Sequence, residues 1–223
     1  MGATVSLGTP LPWPAALPLV AILRGIRPDE AVAHARALLD AGFDCIEVPT
    51  NSPDWSRSIA DIVALAGTRA LVGAGTVLTT ADLDLLQAVG GRLAVSPHVD
   101  TALVAESVRR GLISLPGAMT PSEVFAAWRA GAHAVKLFPA ATLGVGHVRA
   151  MAAVLPAAVS LLAVGGVSVA NIGEWRGAGC AGAGLGSDLY RPGQAAADTA
   201  RRATAFVAAW HAAAAAVAAA PRP

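Results

Sequence analysis

The sequence predicts a single (β/α)8 TIM barrel, and three observations carry that expectation. Short apolar runs alternate with helical patterns along the chain, giving eight βα units at roughly 25-residue spacing. The runs are apolar almost throughout, which marks strands buried on both faces and hence a parallel sheet. No leftover segment is long enough for a second domain, and 223 residues suit one closed α/β barrel. A doubly wound open sheet is the alternative. It usually shows fewer strands and a nucleotide-binding glycine fingerprint after the first, and none follows Arg24.

Residues 1–16 read as an extension and 17–220 as the barrel. Pro10, Pro12 and Pro14 interrupt any signal-peptide core, and no basic segment precedes them. The first strand is Leu17–Arg24. Pro28-Asp29-Glu30 opens a helix that closes at Ala41-Gly42, because proline suits a first turn and glycine a helix end. Strand two is Cys45–Thr50 and strand three Ala70–Val77. Thr79-Thr80-Ala81-Asp82 then caps a helix. Strand four is Leu93–His98, followed by a helix closing at Arg110-Gly111, and strand five is Ile113–Ala118. Thr120-Pro121-Ser122-Glu123 opens the next helix, which ends at Ala130-Gly131. Strands six, seven and eight are Ala134–Ala140, Ser160–Val167 and Ala181–Ser187, with a helix closing at Ala178-Gly179 between the last two. The uncharged run Ala203–Ala220 is mostly alanine, which favours a helix far more than it favours lipid. It reads as a terminal helix.

Composition narrows the function. The chain is 55% hydrophobic with 14% charged residues, which calls for a large core and leaves no disordered tract. A net charge of +1 gives no basic field for nucleic acid. Two cysteines, Cys45 and Cys180, are too few for a disulfide scaffold and read as reduced thiols of a cytoplasmic protein. No membrane partner is expected. Histidines 34, 98, 133, 147 and 211 offer no HxH or HxxxH spacing, so neither a metal nor any other cofactor is expected.

One basic residue stands apart. Of 16 Lys and Arg residues, 15 are arginine and one is Lys136, set between Val135 and Leu137 in a strand. Arginine is always protonated, whereas a desolvated lysine loses its proton readily. A neutral amine attacks a carbonyl to form an imine, an electron sink for carbon–carbon cleavage. The alternative is a lysine that snorkels from the strand end or pairs for structure. Glu47 is the one carboxylate inside a strand; at that depth it is paired, protonated or working as general acid/base. A structural ion pair with Arg24 or Lys136 is its other reading.

Catalytic groups of barrels stand at the C-terminal ends of the strands. Arg24 there suits bidentate binding of a carboxylate or phosphate, and Thr76 of GAGT can donate to the same anion. Gly165 and Gly166 after strand seven, with Gly186 and Ser187 after strand eight, can form a phosphate site from backbone N–H groups, together with an adjacent helix start. Their other reading is tight turns alone. These parts suit a phosphorylated 2-oxo acid cleaved to pyruvate and an aldehyde.

Six ordered stretches, AILRGI, IEVPTNSPDW, GAGTVL, VKLFPA, AVGGV and GAGLGSDLYR, resemble the class I aldolases of 2-keto-3-deoxy-6-phospho sugar acids from about Leu17 to the terminal helix. The resemblance implies that Lys136 forms the imine and Glu47 moves protons. It implies that Arg24 and Thr76 hold substrate and that Gly165, Gly166, Gly186 and Ser187 bind phosphate. It further implies metal-free catalysis and a homotrimer. Gluconate-acting members typically carry an arginine after the glutamate strand and a threonine before the double glycine; here those places hold Asn51 and Val164. Val164 and Val95 are therefore expected to control stereochemistry, in favour of the galactonate-configured acid. The gluconate-configured acid and 4-hydroxy-2-oxoglutarate are the alternative substrates. A different class, a phosphosugar isomerase or epimerase using Glu47 as base without a covalent intermediate, and a catalytically silent phosphosugar-binding protein stand as rivals.

Overall fold

The computed structural model describes residues 16–219. The expected barrel is there, built as β1 (Leu19–Ile22), α1 (Pro28–Asp40), β2 (Cys45–Pro49), α2 (Trp55–Ala66), β3 (Leu71–Gly75), α3 (Thr80–Ala88), β4 (Leu93–Val95), α4 (Thr101–Arg109), β5 (Ile113–Leu115), β6 (Gly117–Ala118), α5 (Pro121–Arg129), β7 (Val135–Leu137), α6 (Ala140–Ala152), β8 (Leu161–Val164), α7 (Ile172–Gly177), β9 (Gly182–Leu185) and α8 (Ala196–Ala219). Residues 1–15 of the expected extension and residue 220 lie outside the described part.

All strand pairs are parallel, in the order β5-β4-β3-β2-β1-β9-β8-β7-β6. The two ends of that order are consecutive in the chain. Pro116 alone separates β5 from β6, so the sheet closes through what the sequence predicts as a single fifth strand. Proline has no N–H for the ladder and interrupts the strand there. Its carbonyl still accepts the Lys136 N–H at 2.9 Å, which keeps β7 in register across the break.

Register sorts the strand residues into two faces. Ile22 pairs with Glu47, Glu47 with Gly73, Gly117 with Lys136, Lys136 with Leu162, and Val164 with Gly184. These residues share the inner face with the barrel's own apolar cluster of Val20, Cys45, Leu93, Val95, Leu115, Ala134 and Leu162. The opposite face packs a larger cluster against the helices, including Leu19, Ile46, Val72, Leu137, Phe43 and Phe206. Polar groups on the inner face therefore sit at its upper rim, above an apolar floor.

The capping signals hold. Thr79 and Asp82, like Thr120 and Glu123, bond each other's backbone N–H in reciprocal capping boxes. The expected helix-closing glycines 42, 111, 131 and 179 all take positive φ. The terminal helix begins earlier than its alanine run suggests. No described helix is long and apolar enough to cross a membrane.

Candidate active site

Lys136 and Glu47 both stand on the inner face, 7% and 2% exposed. Glycines make their room. A Cβ on Gly75 would lie 2.5 Å from Glu47 Oε1, and one on Gly117 would lie 3.0 Å from Lys136 Cε. A Cβ on Gly117 would also lie 2.5 Å from Pro97 O, so neither position accepts a side chain without a shift, and a glycine inside a strand commonly marks such a close approach. Neither glycine stands out in the sequence for this role, because its neighbour across the sheet is remote along the chain. The Phe138 ring centroid lies 5.1 Å from Lys136 Nζ, an added contact to the cation.

Burial sets the electrostatics. It raises Glu47 above the ordinary carboxyl range, against the positive charges of Lys136 and Arg24. Burial also lowers Lys136 below the ordinary amine range, opposed by Glu47 and reinforced by Arg24. Both shifts favour the neutral forms. Glu47 Oε2 is buried with no hydrogen-bond partner among the described residues, which makes a fixed carboxylate costly there. The two groups feel each other's charge, and burial keeps each of them closer to its neutral form than it is in water. The snorkelling alternative for Lys136 fails on its burial.

Arg24 follows β1 at the rim, exposed, and its Nη1 donates to Asn51 Oδ1 at 2.8 Å. Asn51 thus orients the guanidinium, a partnership between two βα loops that the sequence reading missed. Thr76 sits at the end of β3 with φ +57°, rare for a β-branched residue and costing about 1–3 kcal/mol. Thr50 N–H donates to Gly75 O at 2.8 Å and the Thr50 hydroxyl to Thr76 O at 2.7 Å, so the peptides on both sides of the strained residue are pinned by one neighbour.

Val164 and Val95 lie on the inner face, both nearly buried. A Cβ on Gly184 would meet Val164 Cγ2 at 2.8 Å and Ile22 Cδ1 at 3.3 Å, so the valine leans over the glycine. Gly165 and Gly166 follow β8 with φ +97° and +77°, and Gly186 and Ser187 follow the neighbouring β9. A helix start lies against the first glycine loop: α6 begins at Ala140, and Ala141 N–H donates to Gly165 O at 3.0 Å. After β9 a single turn closes on Gly186 O, and α8 starts only at Ala196. His98 is exposed beyond β4 with Ser96 Oγ donating to its carbonyl at 2.9 Å, while His34 and His133 are buried in the scaffold. The described residues include no group of three or more His, Cys, Asp or Glu arranged to hold a metal.

The KDPG and KHG aldolase family model matches residues 15–204. The chain is 50% identical over 198 residues to the 2-dehydro-3-deoxy-6-phosphogalactonate aldolase of Escherichia coli (strain K12), covering 89% of this chain and 97% of that protein. It is similar to a native KDPGal structure at a TM-score of 0.90 and 48% identity, covering 92% of this chain and 99% of that one. A Legionella pneumophila KDPG aldolase, captured at low pH with pyruvate as a covalent carbinolamine, matches at a TM-score of 0.76 and 25% identity, over 89% of this chain and 95% of that one.

Proposed function

This chain belongs to the KDPG and KHG aldolase family, and from that premise we propose that Lys136 and Glu47 cleave 2-dehydro-3-deoxy-6-phosphogalactonate to pyruvate and glyceraldehyde 3-phosphate. The protein is a class I aldolase, a carbon–carbon lyase. The observation that carries the assignment of roles is one buried amine and one buried carboxyl on the same inner face, within each other's electrostatic reach and each close to a glycine.

Neutral Lys136 attacks the C2 carbonyl. The resulting carbinolamine loses water to give a protonated imine, with Glu47 supplying the proton that leaves with the hydroxyl. Glu47, now a carboxylate, takes the C4 hydroxyl proton as the C3–C4 bond breaks. The bonding electrons move into the imine, leaving an enamine, and the aldehyde departs. Glu47 returns its proton to C3, and water hydrolyses the imine to release pyruvate. Arg24 and Thr76 hold the substrate carboxylate. Gly165, Gly166, Gly186 and Ser187 hold the phosphate, whose binding energy fixes the scissile bond near Glu47. The covalent carbinolamine of the Legionella pneumophila relative supports the first step.

Val164 supports the galactonate configuration, because it offers the substrate's C4 hydroxyl no hydrogen bond from its side of the mouth. Val164→Thr is expected to raise kcat/KM for the gluconate epimer by roughly tenfold, the worth of one hydrogen bond. A pyruvate-coupled assay of both C4 epimers checks this and the substrate together. Wild-type preference for the gluconate epimer overturns the assignment, and an unmoved epimer ratio in the variant removes Val164 from stereocontrol.

The proposal includes a homotrimer in the cytoplasm. Leu78 after β3 and Met119 after β6 are large apolar side chains left exposed on the loops around the mouth, as a subunit contact requires. Cys45 and Cys180 are free, buried thiols, as a reducing compartment allows. Light scattering is expected to give the mass of three chains; a monomer mass contradicts it.

A further inference from the structure

In a trans peptide the C=O of one residue and the N–H of the next point in opposite directions. In the loop after β8, Ala141 N–H donates to Gly165 O at 3.0 Å and Asn171 Nδ2 donates to Gly166 O at 2.9 Å. The N–H groups opposite those two carbonyls belong to Gly166 and Val167. Neither donates to any group among the described residues. The loop after β9 repeats the arrangement. Gly186 O accepts from the Leu189 and Tyr190 N–H groups at 2.9 Å each, and Ser187 O accepts from Arg191 Nε at 2.9 Å. Opposite them are the N–H groups of Ser187 and Asp188, again without partners among the described residues. The next two carbonyls are held as well, Asp188 O by Arg202 Nη1 at 2.9 Å and Leu189 O by Gln194 Nε2 at 3.0 Å.

Asn171 is not spent on its own helix. It stands at the N-cap of α7, yet its side chain makes no cap hydrogen bond there. Instead Oδ1 accepts the Ser168 N–H at 2.8 Å while Nδ2 holds Gly166 O, so one amide clamps the loop at two points. Arg191 is likewise fixed, its backbone N–H donating to Gln194 Oε1 at 3.1 Å.

We propose that Asn171 and Arg191 are positioning residues of the phosphate site: each holds one carbonyl back, so that the N–H groups of Val167 and Asp188 join those of Gly166 and Ser187 as donors to the anion. The inference rests on the reading of these loops as the phosphate site. It adds two backbone donors and two side chains, one from each of two neighbouring strand ends. A carbonyl released from its clamp lets the peptide rotate, and an oxygen then faces a phosphate that it repels.

Asn171→Ala and Arg191→Met separate this role from general scaffolding. Three measurements are compared with wild type: KM for the phosphorylated substrate, competitive inhibition by inorganic phosphate, and borohydride trapping of pyruvate at Lys136. Each variant is expected to raise KM and the phosphate inhibition constant together by about tenfold, with trapping of pyruvate, which carries no phosphate, at the wild-type rate. Arg191→Lys, which keeps a cationic donor, is expected to lie between Arg191→Met and wild type. Unchanged KM and phosphate inhibition overturn the inference, as does a parallel loss of pyruvate trapping, which marks a merely structural role. If wild type itself is not inhibited by phosphate and cleaves the dephosphorylated substrate equally well, the phosphate reading falls and takes this inference with it. If wild type discriminates and the variants discriminate equally, only the positioning role falls.

Discussion

Lys136→Arg is expected to keep the barrel folded and to lower cleavage by more than about 10⁴-fold, the scale of removing a covalent nucleophile. The guanidinium stays protonated at any working pH and has no lone pair for the C2 carbonyl. The change keeps a long basic side chain in place but fixes its positive charge, so the loss reports on the neutral amine that only lysine can supply. Its larger head group adds a packing cost to that of burying the fixed charge. Overpacking of this kind costs about 1–3 kcal/mol, within what a domain of ordinary stability absorbs. Pyruvate release and a thermal melt on the same sample check both halves. A folded variant that turns over within tenfold of wild type removes Lys136 from the reaction.

Glu47→Gln is expected to lower kcat by about 10²–10⁴-fold through lost proton transfer. The amide fits the space that Gly75 leaves, so the cavity is preserved. Imine formation with pyruvate is expected to survive. Where Glu47 is ionised, its negative charge holds the Lys136 proton on, and burial works the other way. Removing that charge lowers the amine further, so the neutral nucleophile is present at lower pH than in wild type. Borohydride trapping as a function of pH should therefore extend to more acidic conditions while cleavage stays slow. A Glu47→Gln variant with wild-type kcat moves proton transfer to another group. A variant that can no longer be trapped makes Glu47 necessary to the imine rather than to bond cleavage.

The barrel was legible because strands buried on both faces show as near-continuous apolar runs, and eight of them admit few other closures. The ends of those runs were read too far. The ladder stops at Ile22, Gly75, Val95 and Leu185, whereas Arg24, Thr76, His98 and Ser187 belong to the rim that bends away from it. Those are the residues of most chemical interest, so the apolar pattern and the site overlap where the backbone leaves the sheet. Pro116 was visible inside the fifth run, and its missing N–H accounts for the break between β5 and β6.

Within the site, Lys136 and Glu47 were legible through rarity: a single lysine, and a single carboxylate on a strand. Their glycine neighbours were not, because Gly75 faces Glu47 and Gly117 faces Lys136 only once the strands are paired. Asn51 was noted as a difference from related sequences, but its bond to Arg24 appears only when two loops are brought together. Arg191 closes the stretch GAGLGSDLYR, but neither its contact nor that of Asn171 shows in one dimension, since each acts on a backbone carbonyl.

The most direct test incubates the enzyme with pyruvate and borohydride and maps the modified residue by mass spectrometry. One reduced pyruvate on the peptide carrying Lys136, with loss of activity in proportion, is the result expected of an amine that reaches the carbonyl unprotonated. A protein that remains active and unmodified at Lys136 under those conditions contradicts the covalent mechanism, and with it the roles given to every residue around the mouth.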